Sequence, residues 1–246
     1  SDTAKKLSNL SLKFMEEYAP THDVFSRELN IPAELSETIY ERVCEKLRVE
    51  AVEDFRIDFE DGFGNRPDEE EDETAIIAST ELAKGVKAQT VPPFYGIRIK
   101  QFSSELVARS LRTLDLFVTN FAKEMNGEIP ENFVITLPKI THVSQVETLV
   151  SAMECLESKL SLPSKSLKME FMVEATQTLF DLQGKMAMPE MLQAAKGRCR
   201  GAHFGTYDFT ASVDVIAEHQ KMSHFACDFA KHLMKASFAG RSEEHT

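Results

Sequence analysis

Polar side chains that could do chemistry stand at the predicted ends of several strands in this 246-residue sequence. The carboxylates Glu174 and Asp208 lie 34 positions apart, a normal length for one strand–helix–strand unit, so both can sit at the same end of adjacent parallel strands. Two carboxylates with open positions for water and substrate oxygens suit Mg²⁺, which prefers hard oxygen ligands and keeps several waters. The alternative is that each carboxylate pairs with a neighbouring arginine or lysine.

Two further strand ends carry polar residues, and a lysine follows a third. Glu60 ends an alternating stretch and Asp61 follows it, while Arg98 lies between Ile97 and Ile99 in a second stretch that ends at Lys100. Lys139 ends the triplet Leu137-Pro138-Lys139, where a lysine desolvated near other cations could act as a Schiff-base nucleophile.

The elements that position these residues alternate between helix and strand. In residues 55–60, apolar and charged side chains alternate, which predicts a strand with one charged face. The same analysis predicts further strands at residues 94–100, 133–139, 169–175 and 199–208. Helices are predicted at residues 1–19 and 35–47, from residue 67, and at 105–125, 142–160, 188–196 and 223–238.

Alternating helices and strands predict a parallel sheet, either doubly wound or closed into a barrel. A sheet covered on both faces should have almost continuously apolar strands. Here three strands carry charges on their second face: Arg56, Asp58 and Glu60, then Arg98 and Lys100, then Glu170 and Glu174. Converging charges favour the interior of a (β/α)₈ TIM barrel, where opposite signs can pair. We predict a single domain over residues 1–240.

Composition narrows the class of partner. The formal net charge of −12 argues against nucleic acid and against an anionic membrane surface. No apolar run approaches the roughly 20 residues that cross a bilayer, so a cytoplasmic location is predicted. The four cysteines form no CxxC pair, which removes the usual zinc and redox motifs.

Five strings, in order, resemble the HpcH/HpaI aldolase and citrate lyase β-subunit family, in particular a bacterial branch of aldolase-like proteins. They are the stretch from Arg56 to Gly62, Gly96-Ile97-Arg98, the stretch from Thr136 to Ile140, the stretch from Met172 to Thr176, and the stretch from His203 to Asp208. The resemblance covers nearly the whole chain. It implies a barrel of the pyruvate/aldolase type that uses Mg²⁺ or Mn²⁺ to make or break C–C bonds beside a carbonyl.

Carried over by position, the resemblance makes Glu174 and Asp208 the metal ligands and Arg98 the residue that grips the substrate. Glu60 and Asp61 match an acidic pair that orients water or the arginine; a salt bridge to Arg56 or Arg98 is the structural alternative. The family pattern makes Lys139 a charge partner of the carboxylates rather than a nucleophile.

Residues beside these positions have weaker predicted roles. Thr176 and Gln177, just after the metal glutamate, are expected to contact substrate. His203 and Tyr207 fall on the opposite alternation from Asp208, which predicts packed or helix-facing side chains for both.

The predicted function is a metal-dependent carbon–carbon lyase that acts through a stabilised enolate on a small 2-oxo or 3-hydroxy acid or its CoA thioester. Arg98 and the metal would stabilise the enolate oxygen, while a base, for which a metal-bound hydroxide held by Glu60 or Asp61 is the candidate, removes the hydroxyl proton. The alternatives are a non-catalytic metal- or metabolite-binding relative and a phosphotransferase on pyruvate-like substrates, but no glycine-rich phosphate loop is present.

The chain departs from the family pattern at both ends. Compared with the family barrel, it is expected to lack the first strand and the last two strand–helix units. Residues 241–246 resemble a translated sequencing adapter and are predicted to be a non-native tail. The resemblance also implies a homo-oligomer for the full-length protein.

Overall fold

The computed structural model describes residues 2–239, so the predicted tail at 241–246 lies outside the described residues. The strands are β1 (Asp54–Asp58), β2 (Phe94–Arg98), β3 (Phe133–Leu137), β4 (Lys168–Val173) and β5 (Cys199–Phe204). The helices are α1 (Thr3–Tyr18), α2 (His22–Leu29), α3 (Ser36–Glu50), α4 (Asp68–Lys87), α5 (Val107–Glu124), α6 (Val143–Lys159), α7 (Thr176–Leu179), α8 (Met188–Ala194), α9 (Thr206–Ser212) and α10 (Phe225–Phe238). Across these residues, no helix combines the length and the apolar character needed to span a bilayer.

The strands form one parallel sheet in the order β1-β2-β3-β4-β5. Between β3 and β4, Thr136 lies opposite Glu170, and between β4 and β5, Met172 lies opposite His203. A strictly sequential order is that of a barrel, because a doubly wound sheet reverses its strand order at a switch point. The predicted α/β barrel-type fold is therefore confirmed, with five strands among residues 2–239 where a closed barrel of this type has eight.

The described residues divide into two compact units. The first contains the residues up to Phe55 together with Glu81–Tyr95. In this unit the Tyr40 hydroxyl donates to the Ala19 carbonyl at 2.9 Å, and the Tyr40 ring meets Phe25 edge-on at 5.6 Å. Helix α2 was not predicted; it begins after Thr21, whose side chain caps it by accepting from the Val24 N–H. A single domain over residues 1–240 stays a prediction.

The second unit contains Arg56–Thr80 and the described residues from Gly96 onward, and it carries the functional candidates. Its core is rich in aromatic rings between the sheet and α5. Phe133 stacks on Phe117 at 6.0 Å and meets Phe121 at 5.0 Å, and Phe59 meets Phe117 edge-on at 6.1 Å. Phe59 follows β1 directly, so this packing fixes where the chain leaves the strand.

The inner face of the sheet contains the expected pairing of opposite charges. Arg56 donates to both carboxylate oxygens of Glu170, at 2.6 and 2.7 Å, and Thr136 also donates to Glu170. The Glu170 side chain is 7% exposed, and burial would raise its pKa, but hydrogen bonds from His203 and Arg56 outweigh burial and lower the pKa to about 2. This cluster joins β1, β3, β4 and β5 across the inner face.

Two predictions about side-chain direction are wrong. Strand β5 ends at Phe204, so Asp208 lies in the first turn of α9 rather than on the strand, and strand alternation cannot relate it to His203. The His203 ring faces the sheet interior, with its Nε2 atom 3.0 Å from Glu170. Lys100 lies beyond the end of β2, and its ammonium contacts Glu71 of α4 at 3.0 Å instead of joining the inner-face charges.

Candidate active site

The loop after β1 is organised by one carboxylate. The two oxygens of Asp58 accept the backbone N–H groups of Glu60 at 2.9 Å and Gly62 at 2.8 Å. A Cβ atom on residue 62 would lie 2.5 Å from an Asp58 oxygen, so this tight turn requires Gly62. Asp58 therefore determines where Glu60 and Asp61 point. It was missed as a positioning residue, although an aspartate shortly before a glycine is typical of such turns.

The same carboxylate holds Arg98. Its Nε atom donates to Asp58 at 2.7 Å, and Nη2 donates to the other oxygen, a planar bidentate pair. The Nη1 atom lies 3.9 Å from Glu60. The hydrogen bonds that Arg98 donates to Asp58 raise the pKa of Arg98, so the guanidinium stays charged. Burial would raise the pKa of Asp58, but the same hydrogen bonds lower it. Because Asp58 accepts from two nitrogens of Arg98, the third nitrogen, Nη1, faces the loop that carries Glu60 and Asp61.

Lys139 joins three strand ends. Its Nζ atom lies 2.9 and 3.1 Å from the two oxygens of Glu60, 2.7 Å from Asp61 and 3.2 Å from Asp208. Burial would lower the pKa of Lys139, but the hydrogen bonds that its ammonium donates to Asp61 and Glu60 raise it. A lysine with a raised pKa is a poor nucleophile at neutral pH, which disfavours the Schiff-base alternative.

Glu174 directly follows β4, and Asp208 faces it from the first turn of α9, after β5. Glu174 is 4% exposed and accepts the backbone N–H of Lys139 at 2.8 Å, while the Asp208 side chain is 45% exposed. Burial raises the pKa of Glu174 to about 7, and the hydrogen-bonded Asp208 adds to the rise while Lys139 opposes it. Desolvation and a second carboxylate therefore both disfavour the charged form of Glu174.

The acidic pair of the β1 loop is also perturbed. Burial raises the pKa of Glu60, with Lys139 opposing and Asp61 adding to the rise. Hydrogen bonding to Lys139 lowers the pKa of Asp61 in spite of partial burial. Of the two, Glu60 is the better proton acceptor near neutral pH because its conjugate acid is weaker.

Thr176 and Gln177 lie next to the site in α7. The Thr176 hydroxyl donates to Gln177 at 3.2 Å in an exposed position. The salt bridges that the structure gives Lys139 connect it to Glu60, Asp61 and Asp208. The structure thus brings together all of the predicted catalytic and metal residues and leaves Thr176 and Gln177 at their edge, where substrate contact stays a prediction.

The loop Phe59–Gly64 has a second support that the sequence did not reveal. The Lys100 ammonium donates to the carbonyls of Phe59 at 2.6 Å and Gly64 at 3.2 Å, and it pairs with Glu71, which is fully buried. Lys100 thereby fastens both ends of the loop that carries Glu60 and Asp61. Glu71 in α4 lies 29 residues before Lys100, and no spacing rule links two residues at this separation. The Lys100–Glu71 pair therefore could not be predicted from the sequence.

Gly205 provides the space for Glu174. A Cβ atom at position 205 would lie 2.6 Å from the Cβ of Glu174 and 2.7 Å from its Oε2. Gly205→Ala is therefore expected to displace Glu174 and to lower the free energy of unfolding by about 1–3 kcal/mol, the usual effect of overpacking. Urea unfolding checks this, with Gly201→Ala as the control because nothing lies within 4 Å of a Cβ there. Equal losses in both variants would contradict the argument.

The donor set fits a hard divalent cation that keeps its own water. Within residues 2–239, no three acidic, histidine or cysteine side chains converge as a ready-made metal site. Glu174 and Asp208 supply two carboxylates, and Mg²⁺ is typically bound by one or two carboxylates plus water and substrate oxygens. Together with Asp58, Glu60 and Asp61, these two make five carboxyl groups that share the two cations Arg98 and Lys139, an excess of acidic groups.

The sheet and the site together define a barrel-type α/β protein with an acidic centre at the C-terminal ends of its strands. The chain belongs to the DUF6986 family, a domain of unknown function, whose model matches residues 1–243. No curated protein matches the chain. Membership of the HpcH/HpaI family stays a prediction.

Solved structures with a similar fold include two enzymes. A citrate lyase from Burkholderia xenovorans LB400 is 20% identical with a TM-score of 0.53, and the match covers 81% of this chain and 56% of that one. The Haloferax volcanii malate synthase in its lead(II) complex is 16% identical with a TM-score of 0.56, and the match covers 85% of this chain and 56% of that one. At these identities the likeness shows the fold. The chain spans just over half the length of both.

Proposed function

We propose that this chain carries the active site of a divalent-metal-dependent carbon–carbon lyase of the aldolase/citrate lyase type. The substrate is a small 2-oxo or 3-hydroxy acid, free or as a CoA thioester. The observation that carries the proposal is the pair Glu174 and Asp208, which follow adjacent strands and both contact Lys139, beside an arginine that donates to Asp58 through two nitrogens. The fold shared with a citrate lyase and a malate synthase supports it.

Glu174 and Asp208 would hold the Mg²⁺ or Mn²⁺ ion. When bound, the ion acts as a Lewis acid toward the carboxylate and carbonyl oxygens of the substrate. Such an ion also offsets the repulsion between two carboxylates that are partly withdrawn from water. Glu174 is fixed for this role by the backbone N–H of Lys139 and by the space that Gly205 leaves.

Arg98 would bind the substrate and stabilise the developing enolate. Asp58 engages Nε and Nη2, so the Nη1 edge can donate to a substrate oxygen. A guanidinium that is already held in place loses little conformational freedom on binding, and it stabilises negative charge as the charge develops.

Glu60 is the proposed base. It takes the proton of the substrate hydroxyl, the C–O bond becomes a carbonyl, and the electrons of the breaking C–C bond form the enolate, whose carbon then takes up a proton. Burial and the raised pKa of Glu60 suit this step, because a more basic carboxylate drives proton transfer better. The backbone N–H of Asp61, which donates to Glu60 at 3.1 Å, and the Lys139 ammonium orient the Glu60 carboxylate.

Calorimetric titration with Mn²⁺, with and without oxalate as an enolate mimic, tests the proposal. Wild-type protein is expected to bind Mn²⁺ more tightly with oxalate present, and Glu174→Gln or Asp208→Asn to weaken Mn²⁺ binding at least 100-fold, about 2.7 kcal/mol. Glu131→Gln is the matched control, because its side chain is 80% exposed and pairs with Arg200. If the two site variants bind Mn²⁺ as the control does, the carboxylates are structural and the proposal fails.

The second candidate is a non-catalytic metal- or metabolite-binding protein with the same site. Lys139 favours it, because its ammonium already balances three carboxylates. This candidate predicts Mn²⁺ and oxalate binding together with no cleavage of any 3-hydroxy acid or its CoA thioester. Turnover that disappears in Arg98→Lys would exclude it.

A further inference from the structure

Lys139 contacts four of the five carboxylates of the site. Lys139 follows β3 with a left-handed backbone, φ 49°, which is uncommon for a residue with a side chain. Its backbone N–H donates to Glu174, and its Nζ atom reaches Glu60, Asp61 and Asp208. The backbone and the side chain of Lys139 thus bind different carboxylates.

The contacts of the Lys139 ammonium are unequal. Nζ lies 2.7 Å from Asp61 and 2.9 Å from Glu60, but 3.2 Å from Asp208. Of the three carboxylates that contact Nζ, Asp61 is the most exposed and Asp208 is the next. The Asp208 side chain is 45% exposed, whereas the Glu60 side chain is 7% exposed. Because the lysine stem is flexible and the ammonium has three donors, Nζ can leave Asp208 and keep both partners on the β1 loop.

The backbone contact does not depend on the position of Nζ. The Lys139 N–H can go on holding Glu174 at 2.8 Å while the side chain moves. The contact to Glu174 is therefore independent of the ammonium, whereas Asp208 is paired with a positive charge that can be displaced.

We propose that Lys139 is a resident counter-ion that competes with a divalent cation for Asp208 and thereby sets the metal affinity of the site. The inference rests on the proposed function, since it takes Glu174 and Asp208 as the metal ligands. An ammonium and a divalent cation on one carboxylate repel each other, so cation binding requires Nζ to withdraw toward Glu60 and Asp61. Without the cation, the positive charge of Lys139 stabilises carboxylates that would otherwise repel each other.

The test compares Lys139→Met and Lys139→Gln with wild type for Mn²⁺ affinity by calorimetry and for thermal unfolding in metal-free buffer. Both variants are expected to bind Mn²⁺ about tenfold or more tightly, to melt at a lower temperature without metal, and to gain more in melting temperature from Mn²⁺ than wild type does. Lys196→Met is the matched control, because it removes the same charge from an exposed pair with Glu154 at 3.0 Å.

The outcomes separate this inference from the proposed function. Unchanged or weaker Mn²⁺ binding in both Lys139 variants overturns the competition, even if Glu174→Gln still abolishes binding in support of the metal site. Equal tightening in Lys196→Met also overturns it, because the effect would then reflect net charge alone. If neither wild type nor the Lys139 variants bind Mn²⁺, both the inference and the metal site fail.

Discussion

Arg198→Met is expected to lower the free energy of unfolding by about 3–5 kcal/mol, the usual cost of leaving a buried charge without its partner. The Arg198 and Glu157 side chains are 2% and 5% exposed, and the guanidinium donates to both carboxylate oxygens at 2.6 and 2.9 Å. Glu157 also accepts the backbone N–H groups of Lys165 and Leu167. The pair therefore ties α6 to the segment that leads into β4.

Urea denaturation measures this loss, with Arg200→Met as the control two residues along the chain. Arg200 pairs with Glu131 at 2.9 Å, but its side chain is 44% exposed, so its loss should cost less than about 1 kcal/mol. A double variant, Glu157→Leu with Arg198→Met, should recover part of the lost stability, because it removes both buried charges. The recovery is incomplete because the backbone N–H groups of Lys165 and Leu167 lose their acceptor. Loss of less than 1 kcal/mol in Arg198→Met would contradict the argument.

The stability of the protein is expected to fall in acid through Glu170. Its pKa in the folded protein is about 2, below the ordinary value of 4.5. Because the folded pKa is depressed, the ionised form stabilises the fold above about pH 4.5, and this contribution is lost as the pH falls toward 2. The difference in pKa corresponds to about 3 kcal/mol at neutral pH.

Glu170→Gln isolates this contribution. The free energy of unfolding of the wild type should exceed that of Glu170→Gln most at pH 7. About 2 kcal/mol of this difference should disappear between pH 6 and pH 3. Urea unfolding at several pH values checks the trend, with Glu131→Gln as an exposed control. An advantage that stays constant over this range would mean that Glu170 is not the group whose ionisation stabilises the inner-face cluster.

Most of the sheet could be predicted because its signals are local. The alternation of Phe55, Ile57 and Phe59 with charged residues correctly located the β1 strand, and opposite charges on different strands correctly predicted pairing inside the barrel, realised by Arg56 and Glu170. What failed was the position of strand ends. Extending the fifth strand to Asp208 ignored Gly205, after which α9 begins, and this placed His203 on the wrong face.

The site could be predicted as a set of residues but not as a network. Spacing and resemblance selected Glu60, Asp61, Arg98, Glu174 and Asp208, and the structure brings them to one end of the sheet. The residues that hold the site residues in place could not be predicted, because they depend on contacts between segments that are distant in the sequence. Lys100 reaches Glu71, and the Lys139 backbone reaches Glu174, through geometry that exists only after the chain has folded.

Asp58 gives the site a property that none of its other residues has. The same two oxygens receive the guanidinium of Arg98 and the backbone of the Glu60–Gly62 turn. A ligand that pulls on the guanidinium therefore also pulls on the turn, and a shift in the turn reorients the guanidinium. Arg98, the proposed substrate-binding residue, and Glu60, the proposed base, are therefore coupled through Asp58, so substitutions at these two positions are not expected to have additive effects.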